Sequence, residues 1–250
     1  MEQWHYDPAT DFDEALIERL QGYPRRLNFL VCSVRSITAA VLRFWLRIYH
    51  RLTIVGRQNL PAAGSYVLVA NHASHLDTLC LLAALPMRRL QRVFPIAAED
   101  YFFRSGPRTI LATLVVNALR FNRQFAPWRC LSACAYLLQC PGTILIFFPE
   151  GKRSAGAAPG KFKPGAALLA AGRDVPVVPC HLDGTGAALP KGAWCPRPRA
   201  VRLTIGTPRL YTHLAPTKES ARQISHELRE AVILLGQASQ QETSRKEWND

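Results

Sequence analysis

Residues 71–77, Asn-His-Ala-Ser-His-Leu-Asp, place two histidines and an aspartate directly after the apolar run at 66–70. In one continuous helix His72 and Asp77 would point apart, because their separation corresponds to about 500° of rotation. With His72 in a turn and Asp77 in the first turn of a helix, the carboxylate can reach an imidazole nitrogen. Such a pair is the base and the orienting group of a catalytic triad, and the attacking hydroxyl would then belong to the substrate.

A structural alternative accounts for Asp77 alone. Ser74 followed by Asp77 has the spacing of a capping box, which opens many helices and has no catalytic role. His72 precedes the cap, so this alternative leaves it unexplained. Both interpretations start a helix here, and a helix N-terminus favours the neutral imidazole that a base needs.

A second polar cluster follows the apolar run at 143–148. Residues 148–154 read Phe-Pro-Glu-Gly-Lys-Arg-Ser, and the loop continues as Ala-Gly-Ala-Ala-Pro-Gly-Lys-Phe-Lys-Pro-Gly. Small residues let a backbone approach a ligand closely, and clustered bases suit phosphate oxygens. A solvated basic loop is the alternative. The spacing is not that of a P-loop, and no G-x-S-x-G elbow of a serine hydrolase occurs.

Alternating apolar runs and helical patterns predict an α/β fold whose sheet is covered on both faces. The predicted strands lie at 52–55, 66–70, 93–97, 143–148, 175–178 and 201–205, and the predicted helices at 75–86, 107–117, 127–140, 164–173 and 217–235. Ligands of open α/β sheets bind beyond the carboxyl ends of the strands. The clusters at 71–77, 149–154 and 179–183 all follow such ends, so we expect them to share one site.

Residues 27–51 predict an amphipathic N-terminal helix. One arc contains apolar and aromatic residues, and the opposite arc contains Arg25, Arg35, Arg43, Arg47 and Arg51. This pattern suits a helix lying in a membrane interface. It equally suits a helix that packs its apolar face on its own domain and leaves the arginines in water. The N-terminus has no signal-peptide pattern and no stretch is long enough to span a bilayer, so we expect a cytoplasmic chain that at most lies on a membrane.

The net charge of +13 comes from 31 basic and 18 acidic residues and is unevenly distributed. Residues 1–24 carry −5, so the rest of the chain carries +18. Such a surface attracts anionic lipids, phosphorylated small molecules or nucleic acid. No zinc-finger spacing or RNP-like motif supports nucleic acid.

The seven cysteines show no Cys-x-x-Cys spacing, which predicts free thiols in a reducing compartment. Cys180, His181, Cys195 and His213 match no common zinc-ligand pattern. We therefore expect no metal.

Four blocks in order resemble those of the glycerolipid acyltransferases, the phospholipid/glycerol acyltransferase superfamily that includes 1-acylglycerol-3-phosphate acyltransferases. Residues 71–77 resemble the Asn-His-x-Ser-x-x-Asp box, which contains the His-x4-Asp motif. The other three blocks are Ala-Leu-Arg-Phe-Asn-Arg at 118–123, residues 148–154 with Phe-Lys-Pro-Gly-Ala at 162–166, and Val-Pro-Val-Val-Pro at 175–179. Together they extend over about residues 50–206.

The resemblance implies a mixed, largely parallel central sheet and a role for each site residue. His72 would be the general base and Asp77 would orient it. The acceptor oxygen would attack the thioester of acyl-CoA or acyl-carrier protein directly, with neither cofactor nor metal. The acceptor would be held by Arg123, Glu150, Gly151, Lys152 and Arg153, with the arginines on its phosphate. Val175 to Pro179 would form part of an apolar wall.

Three departures from the family pattern all concern the acceptor. Lys152 replaces a threonine, Arg120 occupies a usually apolar place, and 97–103 lacks a Lys-Glu pair that lysophosphatidate-acylating members often show. The leading prediction is an enzyme of the cytoplasmic membrane face, peripheral or monotopic, that converts 1-acyl-sn-glycerol-3-phosphate to phosphatidate. The alternatives are the same chemistry on another lysolipid, a lipoamino acid or a hydroxylated intermediate, and a non-enzymatic module that binds anionic lipid.

The predicted organisation has three parts. These are an N-terminal membrane-interface helical segment (1–50), an acyltransferase domain (51–235) and a polar tail (236–250).

Overall fold

The structure is a computed structural model that describes residues 29–98, 119–121, 127–154 and 158–247. Within these ranges side chains are described for 32–96, 131–154 and 158–241. The helix predicted at 107–117 and the acidic segment 1–24 lie outside the described residues.

Apolar, β-branched runs form the strands, as the sequence predicts. The strands are β1 (Thr53–Val55), β2 (Tyr66–Ala70), β3 (Val93–Ala98), β4 (Leu119–Phe121), β5 (Ile144–Phe147), β6 (Val177–Asp183) and β7 (Arg202–Ile205). The described helices are α1 (Phe29–Tyr49), α2 (Leu76–Ala84), α3 (Pro127–Gln139), α4 (Gly165–Ala170), α5 (Thr185–Ala188) and α6 (Lys218–Glu247). Short 3-10 helices occur at Arg57–Asn59 and Met87–Arg92.

The seven described strands form one mixed sheet in the order β1-β7-β6-β2-β5-β3-β4. The five strands from β6 to β4 are parallel to each other. Strand β7 runs antiparallel to β6, and β1 pairs with β7 in parallel. This confirms the α/β class with a mixed, largely parallel sheet. The carboxyl ends of β2, β5 and β6 therefore meet at one edge.

Both faces of the sheet are covered by helices. One apolar cluster includes Leu137 of α3, Leu169 of α4 and Ile224 of α6, and the other includes Leu46 of α1 and Leu81 of α2. All five residues of β2 are buried. This double burial is why the strands read as continuous apolar runs rather than as alternating patterns.

The helix predicted at 27–51 is α1, and the side that carries Arg35 and Arg43 faces the domain, whereas Arg47 is exposed. Arg35 Nη1 donates to Gln91 Oε1 at 2.9 Å, and Arg43 Nη2 donates to the carbonyl oxygens of Leu82 (3.2 Å) and Leu85. The opposite face is a stripe of exposed apolar side chains: Val34, Ile37, Val41, Phe44 and Ile48. The alternative in which the apolar face packs inward and all the arginines are solvated is therefore wrong, because the guanidinium groups of Arg35 and Arg43 bond to acceptors of the domain. None of the helices in the described ranges is long and apolar enough to cross a membrane.

Several elements differ from the sequence prediction, and the short helix α5 and the two 3-10 helices were not predicted. Strand β4 was not predicted, since it has only three residues and contains Arg120. Strand β6 extends to Asp183, so residues 179–183 lie within a strand rather than beyond its end. Helix α6 continues from the predicted end at 235 to Glu247, although its last turns are polar.

Candidate active site

Strand β2 and helix α2 are joined by a turn that the side chain of Asn71 fixes. Its Nδ2 donates to the carbonyl oxygen of Leu182 at 2.9 Å, and its Oδ1 accepts from the backbone N–H of Leu182 at 2.8 Å. The amide thereby continues the hydrogen bonding between β2 and β6 beyond the end of β2. The buried N–H and carbonyl groups of Leu182 thus have hydrogen-bond partners. These two bonds hold the turn at the edge of the sheet.

The turn brings the imidazole of His72 to the carboxylate of Asp77. Nδ1 of His72 lies 2.8 Å from Oδ2 of Asp77, and the Asp77 side chain is 0% exposed whereas that of His72 is 19% exposed. A carboxylate only accepts, so Nδ1 carries the proton and the lone pair is on Nε2. The predicted contact between these side chains is confirmed. This contact leaves Nε2 of the partly exposed His72 as the nitrogen that can accept a proton.

Asp77 performs the capping role as well. Its Oδ2 also accepts from the backbone N–H groups of Ala73 (2.7 Å) and Ser74 (2.8 Å). Ser74 Oγ accepts from the backbone N–H of Leu76 at 3.3 Å rather than from that of Asp77, and it donates to the carbonyl oxygen of Leu189 at 2.9 Å. One carboxylate oxygen thus accepts hydrogen bonds from both the turn and the imidazole. Asp77 therefore caps the turn and also orients His72.

Glu150 joins the loop after β5 to the backbone of the catalytic turn. Its Oε1 accepts from the backbone N–H of His72 at 2.8 Å, and its Oε2 accepts from that of Gly160 at 2.9 Å. The residue is buried. Charge-assisted bonds of this kind are about twice as strong as neutral ones. In this structure Glu150 positions His72, and its predicted role in holding the acceptor remains a prediction.

The His72 ring is held on further sides. It stacks on Phe148, with ring centroids 4.3 Å apart and planes 22° apart. The backbone carbonyl oxygen of His72 accepts from the backbone N–H of Ser154 at 2.8 Å and from Ser154 Oγ at 3.3 Å. The segment 148–154 therefore encloses His72 and leaves it a partial opening to solvent.

The basic residues of the second cluster lie in the same loop. Gly151 has φ of +70°, a conformation that favours glycine, and a Cβ there would lie 2.8 Å from Nζ of Lys163. Lys152 is exposed and Arg153 is half-buried. Two positive side chains thus lie within a few residues of the carboxylate that holds His72. Arg123 lies outside the described residues, so its place in the site stays a prediction.

Helix α6 anchors this loop from the other face of the sheet. Arg229 donates through Nε to the carbonyl oxygen of Gly160 at 2.9 Å and through Nη2 to that of Pro159 at 3.0 Å. Gly160 in turn donates to Glu150. A continuous set of bonds therefore runs from α6 through Gly160 and Glu150 to His72. Arg229 has no signal in the sequence, because it is separated from Gly160 by 69 positions.

The sequence predicted that residues 179–183 would belong to the site, and this prediction is wrong. Cys180 and Leu182 belong to the cluster beneath α1 and α2, whereas His181 points to α6, where a Cβ on Gly236 would lie 2.7 Å from its Nε2. Burial lowers the pKa of His181. Within the part of the chain that the structure describes, no three potential metal-ligating side chains come together.

Comparison with known proteins identifies the class that this fold and site define. The Acyltransferase family model matches residues 51–183, more than half of the chain, so the protein belongs to that family. The match includes both clusters around His72.

Three similar proteins are each named as a 1-acyl-sn-glycerol-3-phosphate acyltransferase. A 1-acyl-sn-glycerol-3-phosphate acyltransferase of Chlamydomonas reinhardtii is 34% identical over 74% of this chain and 52% of its own length. The chloroplastic LPAT1 of Arabidopsis thaliana is 33% identical over 61% and 43%. The human 1-acyl-sn-glycerol-3-phosphate acyltransferase alpha is 30% identical over 60% and 54%. The matches thus span about half the length of these curated relatives.

A solved structure shares the fold. The crystal structure of the 1-acyl-sn-glycerophosphate (LPA) acyltransferase PlsC from Thermotoga maritima superposes with a TM-score of 0.64. It covers 89% of this chain and 87% of its own, at 23% sequence identity. The predicted fold and the predicted family are therefore both confirmed.

Proposed function

We propose that this acyltransferase esterifies the free hydroxyl of 1-acyl-sn-glycerol-3-phosphate and yields phosphatidate. The observation that supports this most directly is the bonded His72–Asp77 pair, in which the carboxylate is fully buried and the imidazole is partly exposed. Relatives named as 1-acyl-sn-glycerol-3-phosphate acyltransferases support the choice of acceptor.

In the proposed reaction His72 Nε2 takes the proton of the acceptor hydroxyl as its oxygen attacks the thioester carbonyl. The new ester C–O bond forms, the C–S bond breaks, and the leaving thiolate receives the proton from the imidazolium. Asp77 stabilises that imidazolium and keeps Nδ1 protonated. In this scheme the acceptor hydroxyl is the nucleophile, so we expect no covalent acyl-enzyme. The donor would be acyl-CoA or acyl-carrier protein.

The acceptor phosphate would lie at the basic loop of 151–163. Lys152, Arg153, Lys161 and Lys163 are the cations of the described part of this loop, and Arg123 is the predicted fifth group. Guanidinium groups bind phosphate oxygens in pairs, and ammonium groups add charge. Because Lys152 departs from the family pattern, the same chemistry on another phosphorylated or anionic acceptor is the second candidate.

We further propose that the enzyme works at the cytoplasmic face of a membrane as a peripheral or monotopic protein. The exposed apolar stripe of α1 supports this, since a helix with such a face lies in the boundary between headgroups and acyl chains. The excess of basic residues favours binding to a membrane leaflet that contains anionic lipid.

The test is an assay of purified full chain with 1-acyl-sn-glycerol-3-phosphate and either acyl-CoA or acyl-carrier protein, with the product identified by mass spectrometry. Phosphatidate formed only with thioester and acceptor together is the expected result. Other lysolipids and a lipoamino acid run in parallel decide between the two candidates. Formation of another product in preference to phosphatidate would select the second candidate, and no acylation of any acceptor would overturn both.

A further inference from the structure

The loop between α5 and β7 bears an indole in an unusual position. Trp194 is 91% exposed, and Lys191, Arg197 and Arg199 around it are exposed as well. Tryptophan is enriched at membrane interfaces, where its ring lies at the level of the headgroups. A single exposed apolar residue is ordinary on a protein surface, so the surroundings of the loop decide its meaning.

The loop is bonded to the C-terminal end of α1. Tyr49 Oη donates to the carbonyl oxygen of Pro196 at 3.0 Å, and His50 Nδ1 lies 3.3 Å from that of Arg199. The backbone N–H of Val201 also donates to the carbonyl oxygen of His50 at 3.0 Å. The exposed stripe of α1 ends at Ile48, so the C-terminal part of the loop lies where the stripe ends.

The same loop begins beside the catalytic turn. Ser74 Oγ donates to the carbonyl oxygen of Leu189, and a Cβ on Gly186 would lie 3.3 Å from the Cβ of Ala73. The backbone N–H of Arg197 returns to the carbonyl oxygen of Ala188 at 2.7 Å. The segment that contains Trp194 therefore connects the turn of His72 to the apolar stripe.

The geometry points to residues 190–199 as a second lipid-contact element, beside α1, for an anionic bilayer surface. Trp194 enters the boundary between headgroups and acyl chains, and Lys191, Arg197 and Arg199 face the phosphates. An anionic bilayer is the occupant that matches both the cationic rim and the continuity with the apolar stripe. This inference rests on the proposed function, and it adds a reason why the site opens at the membrane: one loop contacts both the lipid and the catalytic turn.

The experiment is cosedimentation of the full-length protein with vesicles of phosphatidylcholine, with and without phosphatidylglycerol. Trp194→Ala is expected to weaken vesicle binding about tenfold, from the loss of one buried indole. The matched control is Leu210→Ala, an exposed apolar residue (48%) next to Arg209, which pairs with Val177 at the opposite end of β6. This control is expected to bind as the wild type does.

The charges are tested separately. Arg197→Gln is expected to weaken binding about fivefold on vesicles that contain phosphatidylglycerol and to have no effect on phosphatidylcholine alone. Arg222→Gln is the matched control, because Arg222 is exposed on α6, which covers the other face of the sheet.

Acylation of a short-chain, water-soluble lysophosphatidate separates this inference from the proposed function. Trp194→Ala is expected to keep the wild-type rate on the soluble acceptor and to lose rate on vesicles. Wild-type vesicle affinity in Trp194→Ala would overturn the inference, as would a wild-type dimer that Trp194→Ala converts to a monomer with unchanged vesicle affinity. Failure of the proposed function appears instead as no acylation by the wild type in either format, while the vesicle-binding results still apply.

Discussion

At the scale of single residues, one oxygen of Asp77 both caps the turn before α2 and orients the imidazole of His72. The sequence offered these two roles as alternatives. Oδ2 accepts from Nδ1 of His72 and from the N–H groups of Ala73 and Ser74. The capping interpretation and the catalytic interpretation are compatible, because the same carboxylate can close a turn and orient a ring. A helix opening alone would not require a histidine within bonding distance.

The substitution Asp77→Asn separates charge from geometry. An amide oxygen at the place of Oδ2 accepts all three hydrogen bonds, so the turn and the tautomer of His72 persist while the negative charge is lost. We expect kcat to fall about 10²-fold, because the imidazolium is no longer stabilised, and Tm to change little. Asp77→Ala removes the acceptor and is expected to cost about 2 kcal/mol of stability in addition. Equal kcat in Asp77→Asn and wild type would contradict the stabilisation of the imidazolium by the negative charge of Asp77.

Glu150 offers a second residue-scale test. Glutamine provides one acceptor and one donor where the structure needs two acceptors, so Glu150→Gln leaves an N–H of His72 or Gly160 facing an amide donor. We expect a loss of about 1–3 kcal/mol in the free energy of unfolding and a lower kcat, measured by urea denaturation and steady-state kinetics. A raised KM with unchanged stability and kcat would show instead that Glu150 contacts the acceptor.

At the scale of elements, periodicity defined the faces of α1 but not their orientation. An apolar face suits a membrane interface as well as the surface of the domain, so the sequence favours neither face of α1 against the domain. The structure shows Arg35 and Arg43 bonded to Gln91 and to the C-terminal carbonyl groups of α2. Long side chains reach such acceptors while their stems pack on apolar surface. This contact could not be predicted, because it depends on partners more than 35 positions away.

Helix α6 has a testable connection to the site through Arg229. Arg229→Ala removes both donors to the 159–160 loop, so Glu150 and His72 lose part of their support. We expect kcat to fall about tenfold with little change in KM, since a small misplacement of a catalytic group is costly. Arg229→Lys should restore part of kcat, because an ammonium can still donate to one carbonyl.

Arg222→Ala is the control for this change on the same helix. It should leave kcat at the wild-type value, since Arg222 is exposed. An Arg229→Ala enzyme with wild-type kcat would show that the loop holds its place without α6.

At the scale of the whole molecule, the strands and the site differ in how much the sequence determines. Buried parallel strands read as apolar runs, so β2, β3 and β5 were predicted within about two residues. The contact of His72 with Asp77 was predicted from local spacing. Gly160 and Arg229 were not predicted, because only the tertiary fold brings them to the loop. The place of residues 179–183 was predicted wrongly, since a polar histidine does not by itself reveal that it lies on a buried strand face.

The stability of the molecule should depend on pH through two buried histidines. Burial lowers the pKa of both His50 and His181 below the ordinary value of 6.5. The unfolded chain therefore binds protons first as the pH falls, so stability is complete above about pH 6.5 and declines below it. Urea denaturation at several pH values checks this, and His181→Asn should reduce the slope whereas the exposed His213→Asn should not. A stability that rises on acidification would contradict the buried neutral state.

The central claim is that the imidazole of His72 activates the hydroxyl of the acceptor. Alanine at this position keeps the backbone N–H that donates to Glu150 and the carbonyl that accepts from Ser154, so His72→Ala removes the ring and little else. The most direct test is the initial rate of thioester-dependent acylation by His72→Ala, on protein with wild-type Tm and vesicle binding. We expect a rate lower by about 10²–10⁴-fold, with the exposed His213→Ala at the wild-type rate; a His72→Ala enzyme at the wild-type rate would contradict the role of the imidazole as the base.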